Sequence, residues 1–489
     1  MATYETVVGL EVHVQLNTST KIFCGCSTDY AGKPPNTHVC PVCLGFPGTL
    51  PVLNMEVLNS ALKVCMGLNC VIPSRTKFDR KHYFYPDLPK AFQISQLDEP
   101  IGEHGYLEIE LEDSKATCKR IGITRIHMEE DAGKLSHSEQ SGDSLVDYNR
   151  GGIPLLEIVS EPDIRDSYEA RAYLAKLRLA LLYLGISDCD MENGSLRCDL
   201  NVSVRPSGAK KLGTRVEVKN MNSFKSVGAA LEYERDRQIH TLQNGGVLIQ
   251  CTRLWDEERG ETRMMRSKED EDDYRYFPEP DIPPIYLDED KLATLRKDLP
   301  ESPEDRLARY QSLGLLKENA QTLVINKDWG DFFDKACECT DKDSRINLSN
   351  WIISELGGWL KDYPEFKMTT LRVSPENLGN LMRSIQNQEI SGKQAKLVLT
   401  HLLNNGGEVA TTIELLGLKQ ISDDASLAGM IHKTIQENPS VLEDLKQGKK
   451  KAFGYLMGQI MKLSKGQANP SKVNQMLREV LSQDFNIEA

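Results

Sequence analysis

Long apolar runs are missing from this chain of 489 residues. None approaches the roughly 20 residues that span a bilayer, which argues against a helical membrane protein. The N-terminus, MATYETVVGLEVHV, lacks the basic-then-apolar layout of a secretory signal. The expectation is a soluble protein of the cytoplasm or an equivalent compartment. Internal repeats and low-complexity tracts are absent too, and so are a Walker A loop and a kinase-type glycine loop. Any nucleotide chemistry here does not use those folds. Basic charge is outnumbered: 59 Lys and Arg against 72 Asp and Glu give a net charge of −13. Such a chain is a poor non-specific nucleic-acid binder, so any RNA contact needs local basic charge.

What is present supports a real core. Hydrophobic residues make up 39% and charged residues 27%, which argues against wholesale disorder. The length predicts two to four domains of about 100–200 residues each. Up to about residue 290 the texture is mainly strand. ETVVGLEVHVQL, GYLEIELED, RIGITRIHMEED, PLLEIVSE, LRCDLNVSVRP and TRVEVKN are β-rich alternating runs. Two helices are predicted among them, one from Asp166 to Gly185 and one from Ser223 to Gly246. Proline-rich stretches at 278–284 and 299–303 follow, and after them the pattern is helical, with Ser374 and Ser391 as helix starts and a break at Gly406-Gly407. The last segment predicts a small bundle, with helices near 423–437, 450–463 and 470–483. The fold class is α+β: a β-rich body, then helices.

The alternation itself carries chemistry. Residues i and i+2 of a strand share a face. Glu11, His13 and Gln15 form one set; Arg125, His127 and Glu129 a second; Asp199, Asn201 and Ser203 a third; Glu217 and Lys219 a fourth. Glu157 interrupts the apolar LLEIV. A solvated sheet face would also alternate, and accounts for any one strand. Five strands supplying carboxylate, imidazole and amide groups point instead to a shared functional face. Clustered carboxylates repel unless a cation sits among them. Oxygen-rich sites suit magnesium, which bridges to substrate phosphates. Nearby Arg80 and Lys81 could neutralise phosphate oxygens.

Of twelve cysteines, four are paired closely: Cys24-Gly-Cys26 and Cys40-Pro-Val-Cys43, with 13 residues between the pairs. Four thiolates so spaced match a closed, structural zinc site near 24–43. A redox pair or chance are the alternatives. Separately, residues 446–472 carry Lys446, Lys449, Lys450, Lys451, Lys462, Lys465 and Lys472 and no acid. On charge alone this reads as a solvated helical face.

Longer phrases now matter. VVGLEVHVQL, CPVCLGFPGTLPVLN, KFDRKHYFYPDLPKAFQISQ, RIHMEEDAGK, YNRGGIPLLEIVSEPD, MENGSLRCDLNVSVR, VEVKNMNSF, EDDYRYFPEPD and SKGQANP resemble signatures of the B-subunit family of aspartyl/glutamyl-tRNA(Asn/Gln) amidotransferases, from residue 6 to near residue 480. The resemblance implies a cradle-shaped catalytic domain over 1–293, a helical domain over 294–405 and a YqeY-like tRNA-binding tail over 406–489. It implies a heterotrimer with an amidase A-type partner, a glutaminase that makes ammonia, and a small C-type partner. No Gly/Ser-rich amidase stretch occurs here, which fits a separate glutaminase. It implies ATP and magnesium as cofactors for phosphorylating the side-chain carboxylate of Glu-tRNA(Gln) or Asp-tRNA(Asn), which ammonia then amidates.

Residue by residue, the resemblance places Glu11, His13, Glu129 and Glu157 on the metal-binding face, with Asp199 and Glu217 as further acids. Magnesium is expected on Glu11, His13 and Glu129. Lys81 matches a family lysine assigned to phosphate or substrate carboxylate, and Arg80 and Lys219 are expected beside the nucleotide. Glu130, next to Glu129, points to the opposite face of a regular strand. In the tail, Lys449, Lys450, Lys451, Lys462 and Lys465 become expected tRNA contacts. The run His82 to Tyr85 could stack on a terminal adenosine or pack in a core. Two rivals remain at this level: a non-catalytic tRNA scaffold of the same complex, and a free-standing ligase for a small amino acid.

Overall fold

The computed structural model describes residues 3–111, 114–137, 142–267, 274–418, 423–446, 449, 451–464, 467–485 and 487. It contains two compact units, residues 1–303 and 304–489.

The strands of the first unit are β1 (Tyr4–Gln15), β2 (Arg75–Thr76), β3 (Asp79–His82), β4 (Phe92–Ser95), β5 (Gly102–Leu111), β6 (Ser114–Glu130), β7 (Lys134–His137), β8 (Ser144–Asp147), β9 (Pro154–Ser160), β10 (Leu196–Pro206), β11 (Val216–Lys219), β12 (Cys251–Asp256), β13 (Glu261–Ser267), β14 (Phe277–Pro278) and β15 (Ile285–Tyr286). Eight of them form one sheet in the order β13-β12-β11-β10-β1-β9-β6-β5. Its neighbours run antiparallel except β11 and β12, which are parallel. A smaller sheet, β14-β3-β4, carries Arg80 and Lys81.

One face of the large sheet is apolar and buried. Leu10, Val12 and Val14 of β1 pack with Leu156 and Ile158 of β9 and with Leu200 and Val202 of β10. Helices α1 (Met55–Gly67), α2 (Ser167–Leu184) and α3 (Phe224–Gln243) contribute to the same core. Leu174, Leu177 and Leu181 of α2 line up because residues three and four apart share a helix face. The Asp166 side chain accepts from the Glu169 N–H at the start of α2, and Gly185 ends it in the left-handed region at φ 70°. With helices on one side, the other face is left for the alternating polar set.

This asymmetry gives a measurable contrast between neighbours. Leu10 is fully buried, so Leu10→Ala is expected to cost about 2–5 kcal/mol of stability. Glu11→Gln, on the other face, should leave the urea midpoint unchanged or raise it slightly, because burial and three nearby acids already work against its charge. Equal midpoints for Leu10→Ala and the parent would remove β1 from the core.

The structure adds to the expected elements of the first unit in two places. Helix α1 makes three helices among the strands where two were expected. Its buried set, Val57, Leu58, Ala61, Leu62, Val64 and Cys65, has helical spacing, and Asn54 caps it. The hairpin β12–β13 is a second addition to the expected strands. CTRLWDEERGETRMM is rich in charge, and β12 gains strand status by pairing with distant β11.

The second unit is helical among its described residues. Ser374 and Ser391 cap the helices Pro375–Gln386 and Gly392–Asn405 as expected. Further on, helices Asp424–Glu437, Pro439–Lys446, Lys451–Leu463 and Pro470–Phe485 surround a separate apolar cluster that includes Leu427, Ile431, Leu456, Ile460, Val473 and Leu477.

Candidate active site

Strand order explains how distant sequence segments meet. β11, β10, β1, β9 and β6 are consecutive in the sheet. The register sets Glu11 opposite Asp199, Asn201 opposite Glu217, and Glu157 between His13 and His127. All these side chains leave the sheet on the face away from Leu10 and Val12.

They form two groups rather than one. In the first, His13, Glu129 and Glu157 bring ligand atoms within 4.8 Å of one another. Nε2 of His13 lies 3.3 Å from Oε2 of Glu157, and Nε2 of His127 lies 3.1 Å from that same oxygen. Glu129 adds contacts of 3.8 Å to His13 and 3.6 Å to His127. The second group is Glu11, Asp199 and Glu217, equally close. Lys219 bridges Asp199 and Glu217, with 2.9 Å to the latter. Asn201 donates to Glu11 at 2.9 Å, and Thr252 donates to Glu217 at 2.8 Å.

Electrostatics on this face are strained by burial. Burial, then the charges of Glu157, Asp199 and Glu217, raises the Glu11 carboxyl above its ordinary range. Burial disfavours a charged His127, but Glu157 and Glu129 outweigh it and push the imidazole up to about 9. Burial opposes the charge of Glu157 too, yet His127 and His13 hold its carboxyl well below the usual range. Protons on imidazole are thus balancing carboxylates here, the role a divalent ion takes in a metal site. The donor chemistry fits such an ion: carboxylate oxygens with one or two imidazoles. Among the described residues, buried Nδ1 of His127 has no hydrogen-bond partner.

The magnesium set expected from sequence is therefore divided. His13 and Glu129 stand together, while Glu11 joins Asp199 and Glu217. Lys81 reaches toward the first group: Glu129 is the largest charge favouring its ammonium against burial. Its Nζ sits 4.9 Å from the Tyr274 ring and 5.9 Å from the Tyr83 ring. Arg80 needs correction. As its neighbour on a strand it faces the other way, and its guanidinium is held by Glu279 at 2.7 and 2.9 Å and by Asp281 at 3.1 Å. Committed to two acids, it does not stand beside Lys81 as a phosphate contact. Glu130 also leaves the face, bonding Lys90 at 2.5 Å and the Ile94 N–H at 3.0 Å. The aromatic run is no core: Phe84 is 72% exposed, and His82 stacks on Phe277.

Sequence reasoning left His127 without a role, although its place in RIHMEED put it on the right face. Only the register with Glu157 shows it to be an equal partner of His13. Arg125, two residues before it, has a buried Nε with no hydrogen-bond partner among the described residues.

Cys24, Cys26, Cys40 and Cys43 gather their sulfur atoms within 4.8 Å, a spacing that can hold a metal ion. The Cys43 thiol is pulled down to about 4, chiefly by the Cys24 thiol, while Cys24 is pushed up in return. Fully buried Lys21 stands 3.8 Å from Cys43 Sγ. In the tail, Lys449 pairs with Asp444 at 2.7 Å, and Lys451 and Lys462 are exposed. Lys450 and Lys465 lie outside the described residues.

Residues 6–293 match the family model described as the GatB/GatE catalytic domain, and residues 331–481 match the GatB domain model. The chain is 50% identical to a Carboxydothermus hydrogenoformans protein over 486 residues, covering 99% of this chain and all of that one. It is 49% identical to one from Crocosphaera subtropica, covering 98% of each. A Staphylococcus epidermidis protein is 50% identical over 98% of this chain and 99% of its own length. All three are named as the B subunit of aspartyl/glutamyl-tRNA(Asn/Gln) amidotransferase. Matching those relatives from end to end, and carrying the catalytic-domain signature on the sheet that gathers these acids and imidazoles, the chain belongs to the B-subunit family of aspartyl/glutamyl-tRNA(Asn/Gln) amidotransferases.

Proposed function

We propose that the polar face activates the side-chain carboxylate of a misacylated Glu-tRNA(Gln) or Asp-tRNA(Asn) with ATP, so that ammonia can replace the activated oxygen. Family membership makes the protein part of a glutamine-hydrolysing, tRNA-dependent amidotransferase, a carbon–nitrogen ligase. The proposal concerns how it works. A carboxylate resists amidation because oxide is a poor leaving group. Its oxygen attacks the γ-phosphorus of ATP, the bond to the β,γ-bridging oxygen breaks, and ADP departs. Ammonia then adds to the acyl carbon, phosphate leaves, and a proton is lost to solvent. Phosphoryl transfer of this kind needs alignment and charge neutralisation more than covalent help.

The observation that carries the reading is the pairing of two acid groups on adjacent strands, with the charge of Glu129 in one of them favouring the Lys81 ammonium. His13, Glu129 and Glu157 fit one divalent ion, and Glu11, Asp199 and Glu217 a second. Magnesium bound there would neutralise phosphate oxygens and hold the triphosphate in line. Lys81 is placed to meet the substrate carboxylate or a phosphate oxygen, and Lys219 to orient Asp199 and Glu217. Zinc on the four cysteines is architecture, remote in role from the reaction. The partners are an amidase of the A type, which supplies ammonia, and a small protein of the C type, and the compartment is the cytoplasm. We keep the division into 1–293, 294–405 and 406–489, with the tail contacting tRNA.

The direct test withholds ammonia. Given γ-labelled ATP and Glu-tRNA(Gln), the complex should form a labelled acyl phosphate that hydroxylamine traps as a hydroxamate. ADP release that does not need the aminoacyl-tRNA would defeat the reading. Lys449, Lys450 and Lys451 changed together to Ala should weaken tRNA binding and flatten its salt dependence, since each phosphate contact contributes about 0.9 to the log–log slope on a duplex. An unchanged slope in a filter-binding titration would place the RNA elsewhere.

A further inference from the structure

The register of the large sheet sets one cation at a corner between the two acid groups. His13 on β1 lies opposite Arg197 on β10 and Glu157 on β9, and Glu157 lies opposite His127 on β6. Arg197 thus ends the cross-strand row that holds His13 and Glu157 of the first group. Two residues along β10, on the same face, stands Asp199 of the second group. Burial works against the charge of Arg197, but Asp131, Glu129 and Asp199 together outweigh it. The guanidinium is held without being used up. One of its nitrogens pairs with Asp131 at 3.0 Å, its one ion pair among the described residues, and a third of the side chain is exposed. Asp131 is buried and fixed in turn: Gln15 donates to its Oδ2 at 2.7 Å and the Ala132 N–H to its Oδ1 at 2.9 Å. A guanidinium presents several N–H donors in a planar fork, so an anchor at one nitrogen leaves donors for a ligand. Lys219 differs, being taken up by both Asp199 and Glu217.

We propose that Arg197 grips the side-chain carboxylate of the esterified amino acid, an inference that rests on the carboxylate-activation reading above. An anionic side chain entering a face that gathers Glu11, Glu129, Glu157, Asp199 and Glu217 is repelled unless a cation receives it. A carboxylate has two oxygens in one plane. A guanidinium meets both with parallel N–H bonds, whereas an ammonium is a point charge. The corner position matters as well. Both acid groups serve the triphosphate in that reading, so a carboxylate on Arg197 borders each of them. Lys81 is then left to the phosphate oxygens.

The test compares substrate with product in the assembled complex, with magnesium present and ATP absent. Glu-tRNA(Gln) and Gln-tRNA(Gln) differ only in carboxylate against amide. The ratio of their dissociation constants therefore reads the carboxylate contact, while the contacts of the tRNA body cancel. The parent should prefer Glu-tRNA(Gln) roughly tenfold or more. Arg197→Ala should abolish the preference. Arg197→Lys keeps a charge for buried Asp131, which guards against a folding failure, and should still lower the preference to about threefold or less. Affinity for a non-hydrolysable ATP analogue should stay within about twofold of the parent's in both variants. A parental preference in both variants overturns the proposal, as does a parent that binds the two tRNAs equally. A loss of analogue affinity as large as the loss of preference also overturns it, because Arg197 would then be a phosphate contact. The comparison needs no ATP, so it stands apart from the activation chemistry. A complex that keeps the preference but forms no labelled acyl phosphate fails the ATP reading and leaves Arg197 as the carboxylate contact.

Discussion

An amidotransferase complex carrying Glu157→Gln in this protein is expected to form amidated aminoacyl-tRNA at least about a thousandfold more slowly than the parent. Glutamine keeps the shape and removes the charge. That charge matters because one oxygen, Oε2 of Glu157, receives both His13 and His127, at 3.3 and 3.1 Å. With it gone, buried His127 and partly buried His13 lose the carboxylate that favours their charged forms, and a divalent ion would lose the central ligand of its group. Glu129→Gln and His13→Ala should behave alike, since Glu129 and His13 complete the same cluster. Binding of tRNA and hydrolysis of glutamine by the proposed amidase partner should continue, since the loss is confined to this face. A Glu157→Gln complex with parental ATP-dependent amidation would hand the chemistry to another protein of the complex and leave this one as a scaffold.

Removing metal from the cysteine cluster should have the second largest effect, on stability. We expect about one zinc per chain by elemental analysis, and a melting temperature lowered by roughly 10 °C in Cys40→Ser/Cys43→Ser. The size follows from Lys21. That side chain is fully buried, and its ammonium stands 3.8 Å from Cys43 Sγ and 3.3 Å from the Tyr148 carbonyl. A Cys43 thiolate, alone or bound to metal, offsets its charge. Serine would leave a buried cation with only a carbonyl, a loss of about 3–5 kcal/mol in comparable buried pairs. Amidation per folded molecule should survive at low temperature if the cysteines serve architecture alone, as proposed. A metal-free parent that melts where the metal-loaded one does would remove zinc from the architecture.

Several elements were open to reading in the chain itself. The strands of Glu11, Glu129, Glu157, Asp199 and Glu217 announced themselves by period-two alternation, and α2 by its leucines and caps. Strand alternation also separated Glu130 from Glu129 correctly. The same rule separates Arg80 from Lys81, because adjacent strand residues cannot share a face. What bound Arg80, Glu279, lies 199 residues away, and no local pattern reports that distance. Helix α1 has its apolar spacing in the sequence too, set between cysteine-rich and aromatic segments.

By itself the sequence determined which side chains leave each strand together, because the pleat alternates whatever the neighbours are. It also determined the family, through phrases too long to recur by accident. Only the tertiary structure decided which strands lie side by side, and so divided one expected metal set into two groups and raised His127 to the level of His13. Register is a non-local property: it depends on hydrogen bonds between separate segments, Glu11 with Asp199 and His127 with Glu157, and those pairings are written in no single stretch of chain.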